Sequence, residues 1–358
     1  MQLAVYVELA QAGVGDLWSA RTLTQLYDRY WNMKREACRR TRGGTDEWLS
    51  VTERLVERMN NRQELSVPEP VIDHLDQQVK IMASEGVLTI GQGRVTFFHE
   101  TFFDCCFARH FLASGEILRD LLVSSEQDLF RRAQVRQILA FERGADVTAY
   151  LADLAWLLSS SDVRLHIKAL VVALLDTVPN PTSEEWQLLL PLAADPQSPL
   201  HPRLWQAVRN NPAWFAVLDA DGTWATFLRA GGDLADRAIW ALTGYAADQA
   251  ARVTELIASS PPEVWRPRRR WFLRLADVHR ARELVDLLIA AIDEGDFDTL
   301  DRDLAHTLRQ LAQAEPVWGA EALAAFARRA AENPATNSFE PTGRLRRDSW
   351  DGSERLFG

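Results

Sequence analysis

Four side chains able to hold a metal or move a proton, His99, Cys105, Cys106 and His110, fall within twelve residues. Cys106 and His110 have the i, i+4 spacing that puts two zinc ligands on one helix turn. A structural zinc site needs four ligands, however. Cys105 would point roughly 100° away on the same helix, and no second Cys or His pair follows. Small apolar cysteines packed in a helix are the expected role, and no metal is expected. A second concentration is "EVWRPRRRWFLR", which gathers arginines around two indoles. Such residues can bind phosphate and stack on planar groups, or lie as a solvated helix face with arginine stems over tryptophan. Arg266, Arg268, Arg269, Arg270, Trp271 and Arg274 are therefore the candidate surface for an acidic ligand or partner.

Independent catalysis has no candidate constellation. The chain contains no G-x-x-x-x-G-K-[ST] phosphate loop, no G-x-S-x-G, no H-E-x-x-H and no dinucleotide fingerprint. Acidic neighbours such as Glu184 and Glu185 sit where a helix's first turn favours negative charge. The chain alone is not expected to be an enzyme.

The elements that would position these residues are almost all helices. Leu3, Val5, Val7 and Leu9 read as a buried helix already under way, with no cap before it, as in a chain lacking upstream sequence or starting at an internal Met. Residues 16–42 carry one apolar face through Leu17, Leu23, Leu26, Tyr27, Tyr30 and Met33, so a long amphipathic helix is expected, closed by Gly43 and Gly44. Thr45 or Asp46 can cap the next, marked by Trp48, Val51, Leu55 and Met59. Pro68 and Pro70 break the chain before a third helix over 71–85. "VLTI" and "RVTFF", joined by "GQG", predict a β-hairpin. A helix follows over 101–113. Three helices and then one hairpin is the order of a winged helix.

From 117 to about 333 helical stretches alternate with breaks bearing Pro, Gly, Asp or Asn, among them "PNPTSEEW", "DPQSP" and "DADGTW". "LADRAIWALTGYAADQAARVTELIA" reads as one such stretch. Pairs recur at about 35 to 45 residues without a strict consensus, as in degenerate HEAT-like arrays. The expected fold is mainly α: a winged-helix domain with one β-hairpin over 1–115, an irregular HEAT-like α-solenoid over 116–333, and a mobile tail over 334–358.

Net charge and cysteine usage narrow the partners. A formal charge of -10 and a pI near 5.3 oppose general affinity for nucleic acid or anionic membrane. The third helix of a DNA-reading winged helix would need cations, yet Glu69, Asp73, Asp76 and Glu85 face Lys80 alone there. Three cysteines, two of them adjacent, make no disulfide framework. No run reaches the roughly 18 apolar residues of a membrane span, and the first residues lack a leader pattern. A cytoplasmic protein is expected.

The run "GRVTFFHETFFDCCFARHFLASG" resembles the end of the winged-helix domain in NACHT and related STAND ATPases, where an aromatic strand, a histidine and a helix with a polar-aromatic start follow one another. The upstream order, a helix leading through a Gly into a short wing, is similar too; the resemblance covers about residues 1–115. It implies that this chain is the regulatory and sensor portion of a nucleotide-gated switch, without its ATPase core. It further implies that His99 touches the β-phosphate of ADP held by an upstream ATPase module, that ligand on the repeats releases this latch, and that oligomerisation follows activation. ADP or ATP would be cofactors of the full-length parent, not of this chain. Bacterial members of the kind act in conflict systems, including defence against phage. Two alternatives stand beside it: a free-standing helical-repeat scaffold that binds a protein partner, and a winged-helix transcription regulator.

Overall fold

Apolar side chains at helical spacing set most of the elements, and the turn chemistry sets their ends. The computed structural model describes residues 2–14, 22–41, 47–297 and 300–332, and divides the chain into two compact units, Met1–Leu174 and Leu175–Gly358. Both are mainly α. No helix among the described residues is long and apolar enough to cross a membrane.

In the first unit α1 (Gln2–Gln11) packs on α2 (Leu23–Arg40). Val5 and Leu9, one turn apart, are buried, whereas Leu3 and Val7 are exposed, so α1 is a one-sided helix rather than the buried one expected. The described part of α2 begins where the Thr22 side chain accepts from the Gln25 N–H; residues 16–21 and the glycines at 43 and 44 lie outside the described residues. α3 (Trp48–Arg62) has Glu47 at its N-cap with no side-chain cap, and the expected caps Thr45 and Asp46 also lie outside the described residues.

After α3 the chain forms β1 (Val67–Pro68), two 3-10 turns over Glu69–Val71 and Asp73–Leu75, and then α4 (Asp76–Ser84), which is shorter than expected because Pro70 and the turns occupy its first part. β2 (Leu88–Gly91) and β3 (Arg94–Phe97) form the expected hairpin around Gln92 and Gly93, with φ of 54° and 72°. Two consecutive left-handed residues match the right-handed twist of the flanking strands. The sheet order is β1-β3-β2, all antiparallel, with Val67 opposite Val95. Pro68, lacking an N–H, is tolerated because β1 is an edge.

α5 (Glu100–Ser114) runs from this sheet through the middle of the unit. It is buried over most of its circumference, with Phe102, Phe103, Cys105, Cys106, Phe107 and Phe111 all buried and Asp104 among them, the pattern of a helix enclosed by others. It meets α2, α3, β3 and α7. The core there is a cluster of rings: Phe102 lies 5.4 Å from Tyr30 edge to face and 5.2 Å from Phe98, and Trp31 meets Trp48 at 5.2 Å. α6 (Leu118–Val123), α7 (Leu129–Ala145), α8 (Val147–Ser159) and α9 (Leu165–Leu174) complete the unit. The compact unit extends to Leu174, with α7 packed along α5 and α9 against α7 and α8.

The second unit comprises a 3-10 turn (Leu175–Thr177), α10 (Ser183–Ala193), α11 (His201–Asn210), α12 (Ala213–Ala220), α13 (Thr223–Ala230), α14 (Gly232–Thr243), α15 (Ala250–Ala258), α16 (Pro262–Leu275), α17 (Arg282–Asp293), α18 (Arg302–Ala314) and α19 (Pro316–Glu332). The stretch read as one helix is two, α14 and α15. A Cβ at Gly244 would sit 2.7 Å from Arg209 Cγ and 3.0 Å from the Arg209 carbonyl, so only glycine lets the chain turn there against α11. The helices stack in two rows, α11–α14–α16–α18 and α13–α15–α17–α19, each touching the next in its row. Trp186, Trp205, Trp214 and Trp224 are fully buried, and their N–H groups reach Thr223 Oγ1, the Ala193 carbonyl, the Leu175 carbonyl and the Phe215 carbonyl. Each indole thus ties one segment to another while satisfying its own donor. Residues 334–358, expected to be a mobile tail, lie outside the described residues.

Candidate functional site

The junction between β3 and α5 positions His99. Its backbone is extended, φ -156° and ψ 146°, and it is the N-cap of α5. Nδ1 accepts from the Thr101 N–H at 3.1 Å and lies 2.7 Å from Thr101 Oγ1. Thr101 is in turn hydrogen-bonded to the buried hydroxyl of Tyr27. A backbone N–H can only donate, so Nδ1 is the acceptor and the ring's proton sits on Nε2. Among the described residues Nε2 has no hydrogen-bond partner and is not a buried orphan. The ring is half-buried and lines a shallow cleft of about 360 Å³ with Leu65, Thr96, Phe98, Glu100 and Phe103. The arrangement is an imidazole oriented by its own helix, with Nδ1 engaged by Thr101 and Nε2 placed to donate at the surface.

The charge around it sets limits. The first N–H groups of α5 favour an acceptor or anion, but Thr101 N–H is already spent on His99 and the exposed Glu100 carboxylate opposes a second negative group. One turn further, burial pushes the Asp104 carboxyl up to about 7, Glu100 raising it further and Arg136 opposing both. The cleft therefore offers a single oriented contact and not a phosphate cradle. Tyr27 and Thr101, which fix the ring, carry no recognisable signal in the sequence beyond the cap position of the histidine.

The other candidates are placed as follows. Cys105 and Cys106 are buried on α5, and burial raises both thiols above their ordinary range; His110 lies one turn beyond Cys106 on the same helix. Of the arginine group, Arg269 and Trp271 are buried, at 3% and 8% exposure. Each guanidinium meets a carboxylate: Arg266 with Glu294 at 3.4 Å, Arg268 with Asp236, Arg269 with Asp296 and with Glu294 at 3.0 Å, Arg270 with Asp301, and Arg274 with Asp303 at 3.4 Å. The cationic text is thus largely matched inside the unit. Arg252 with Asp219 and Arg280 with Asp248 continue the series along the helices. Exposed pairs of this kind contribute about 0–1 kcal/mol each. On α4, Gln78, Val79, Ile81 and Met82 are buried and Lys80 holds Asp76 at 2.6 Å, which leaves little to read a base edge.

The chain matches no protein-family model, no curated protein and no solved structure.

Proposed function

We propose that this chain is the regulatory and sensor portion of a STAND/NACHT-type switch: a winged-helix domain whose His99 latches onto the phosphate of a nucleotide held by an upstream ATPase module, joined to a HEAT-like helical array. The observation that carries the reading is the wing-to-helix histidine itself, with Nδ1 tied back to Thr101 and the Nε2 donor turned to the surface. The sheet order β1-β3-β2 after helix, strand and helix supports the winged-helix part, and the two rows of stacked helices support the repeat part. α4 pairs its Lys80 with its own Asp76, and Glu69, Asp73 and Glu85 flank it, which speaks against duplex DNA as the partner of the winged helix.

In this reading the nucleotide supplies only a phosphate oxygen as acceptor. The chain's own contribution is to hold one imidazole donor rigid, so that docking costs little ordering of the ring. One such contact is too little for this chain to bind ADP by itself, and Glu100 adds repulsion unless the module that holds the nucleotide neutralises its charge. Ligand on the helical array could release the latch only by binding the open state better than the closed one.

The test uses the protein together with its upstream ATPase module. His99→Leu removes both the helix cap and the donor, whereas His99→Asn keeps a capping oxygen and removes the imidazole. Both variants are expected to release ADP about tenfold faster or more, the loss of one hydrogen bond to a charged group, while only the Leu variant loses a cap's worth of stability. Unchanged ADP off-rates in both, or a coding region with no phosphate loop upstream, would refute the reading. In that case the stacked helices of the second unit leave a free-standing protein-binding scaffold as the remaining account.

A further inference from the structure

Between α16, α17 and α18 the second unit holds a cleft of about 280 Å³, close to the lower end of the roughly 300–1,000 Å³ of small-ligand sites. Its floor is apolar, formed by Trp271, Leu288, Phe297 and Leu304, each less than a tenth exposed. Its rim is charged, with Arg270 and Arg274 one helical turn apart on α16 facing Asp303 of α18.

The two arginines are held differently. Arg270 is bound to Asp301 Oδ2, while Asp301 Oδ1 caps α18 by accepting from the Leu304 N–H at 2.8 Å; the guanidinium also stands 5.3 Å from the ring centre of Phe297. That group is committed to the framework. Arg274 makes one contact to Asp303, at 3.4 Å, with the side chains 47% and 53% exposed. A strong charge-assisted bond is about 2.7–2.9 Å long, so this pair is loose and both members retain unused bonding capacity. Thr307, on the same wall, donates its hydroxyl to the Asp303 carbonyl at 3.1 Å and keeps an acceptor position.

Charge decides the class of ligand. Two guanidiniums and the carboxylates of Asp301 and Asp303 sum to zero, so a polyanion meets as much repulsion as attraction and a simple cation likewise. A molecule carrying one group of each sign meets both complements. We propose that this cleft binds a small zwitterion with an apolar side chain, an α-amino acid in its simplest form. Its carboxylate takes the place of Asp303 on Arg274, its ammonium takes the freed Asp303 carboxylate, and its side chain covers the floor of Trp271, Leu288 and Leu304. The exchange breaks one loose exposed contact and forms two, and the apolar side chain leaves water.

The experiment is calorimetric titration of this chain, as it is, with L-leucine and L-phenylalanine, and with the N-acetyl and amide derivatives of each. The expected result is saturable binding of the free amino acids in about the millimolar range or tighter. Each blocked derivative, and each of the variants Arg274→Gln and Asp303→Asn, should bind at least about tenfold more weakly, because each loses one charge-assisted pair. Both replaced side chains are half-exposed, and an unchanged melting temperature verifies that the variants fold. Absence of saturable heat for both amino acids, equal affinity in Arg274→Gln and Asp303→Asn, or binding of inorganic phosphate in preference to the amino acids overturns the proposal. No nucleotide or further module enters the measurement, so its failure leaves the reading of His99 untouched, and the reverse holds too.

Discussion

Lys34 is 7% exposed and donates to Glu8 Oε1 at 2.7 Å and to the Glu85 carbonyl at 2.6 Å. It thereby joins α1, α2 and the C-terminal end of α4. The Glu8 carboxylate also accepts from the Tyr30 hydroxyl. Removing one member of a buried ion pair costs about 3–5 kcal/mol when the survivor stays buried and uncompensated. Here the two survivors differ. Lys34→Met leaves Glu8, whose side chain is 45% exposed and can return to water, and places an apolar stem in an apolar slot; about 2 kcal/mol is expected after that relief. Glu8→Ala leaves an ammonium at 8% side-chain exposure with one carbonyl, and about 3–4 kcal/mol is expected. The buried apolar side chains of α1 among the described residues are Val5 and Leu9, so the loss appears as local opening of α1 before the unit unfolds. Amide hydrogen exchange over residues 5–11 reads it directly. Exchange should accelerate about thirtyfold for Lys34→Met and a further several-fold for Glu8→Ala. If Lys34→Met costs as much as Glu8→Ala or more, the reasoning from the exposure of the surviving charge is wrong.

Three further outcomes follow from other groups. Burial first, and then Asp153 beside it, raises the Glu142 carboxyl above its ordinary 4.5, so the folded unit holds a proton that the unfolded chain releases. The stability this gives is full below that ordinary value and is lost as pH rises through the folded value; between about pH 5 and about pH 8.5 the melting temperature should fall more steeply in the native chain than in Glu142→Gln, and parallel slopes would refute the assignment. Gly319 of α19 lies so close to α18 that a Cβ would meet Ala312 Cα at 2.5 Å; Gly319→Ala should destabilise the second unit by about 1–3 kcal/mol in thermal melts, against the gain of about 1 kcal/mol expected from helix propensity alone. In the isolated chain, His99→Leu should lower the stability of the first unit by about 1 kcal/mol and His99→Asn by only a few tenths, because the asparagine oxygen still caps α5.

Helix and hairpin signals were legible where they are local. The apolar faces of α2 and α3, the glycine-rich turn of β2–β3 and the presence of a helix after it follow from spacing and turn residues alone. What was not legible depends on distant partners. β1 is two residues long and contains a proline, so nothing but its pairing with Val95 makes it a strand. The α14–α15 break rests on Gly244 against Arg209, and the exposure of Leu3 and Val7 on which side of α1 meets α2. At the candidate site His99 was visible as a residue, but Tyr27 and Thr101, which settle its tautomer, become relevant only once α2 lies beside α5. In the arginine cluster the cations were visible and their neutralising carboxylates, supplied from α14, α18 and the segment between α17 and α18, were not.

The four shielded indoles of the second unit lie close enough to exchange excitation, Trp186 to Trp205 at 6.3 Å, Trp186 to Trp214 at 6.0 Å and Trp205 to Trp224 at 6.1 Å between ring centres. Each stands at the seam of a different pair of helices, so prising any one seam apart wets an emitter and alters the light from its neighbours. The array therefore carries its own optical gauge: once the other nine of the chain's 13 tryptophans are replaced, a shift of emission toward longer wavelength reports strain within the stack without any added label.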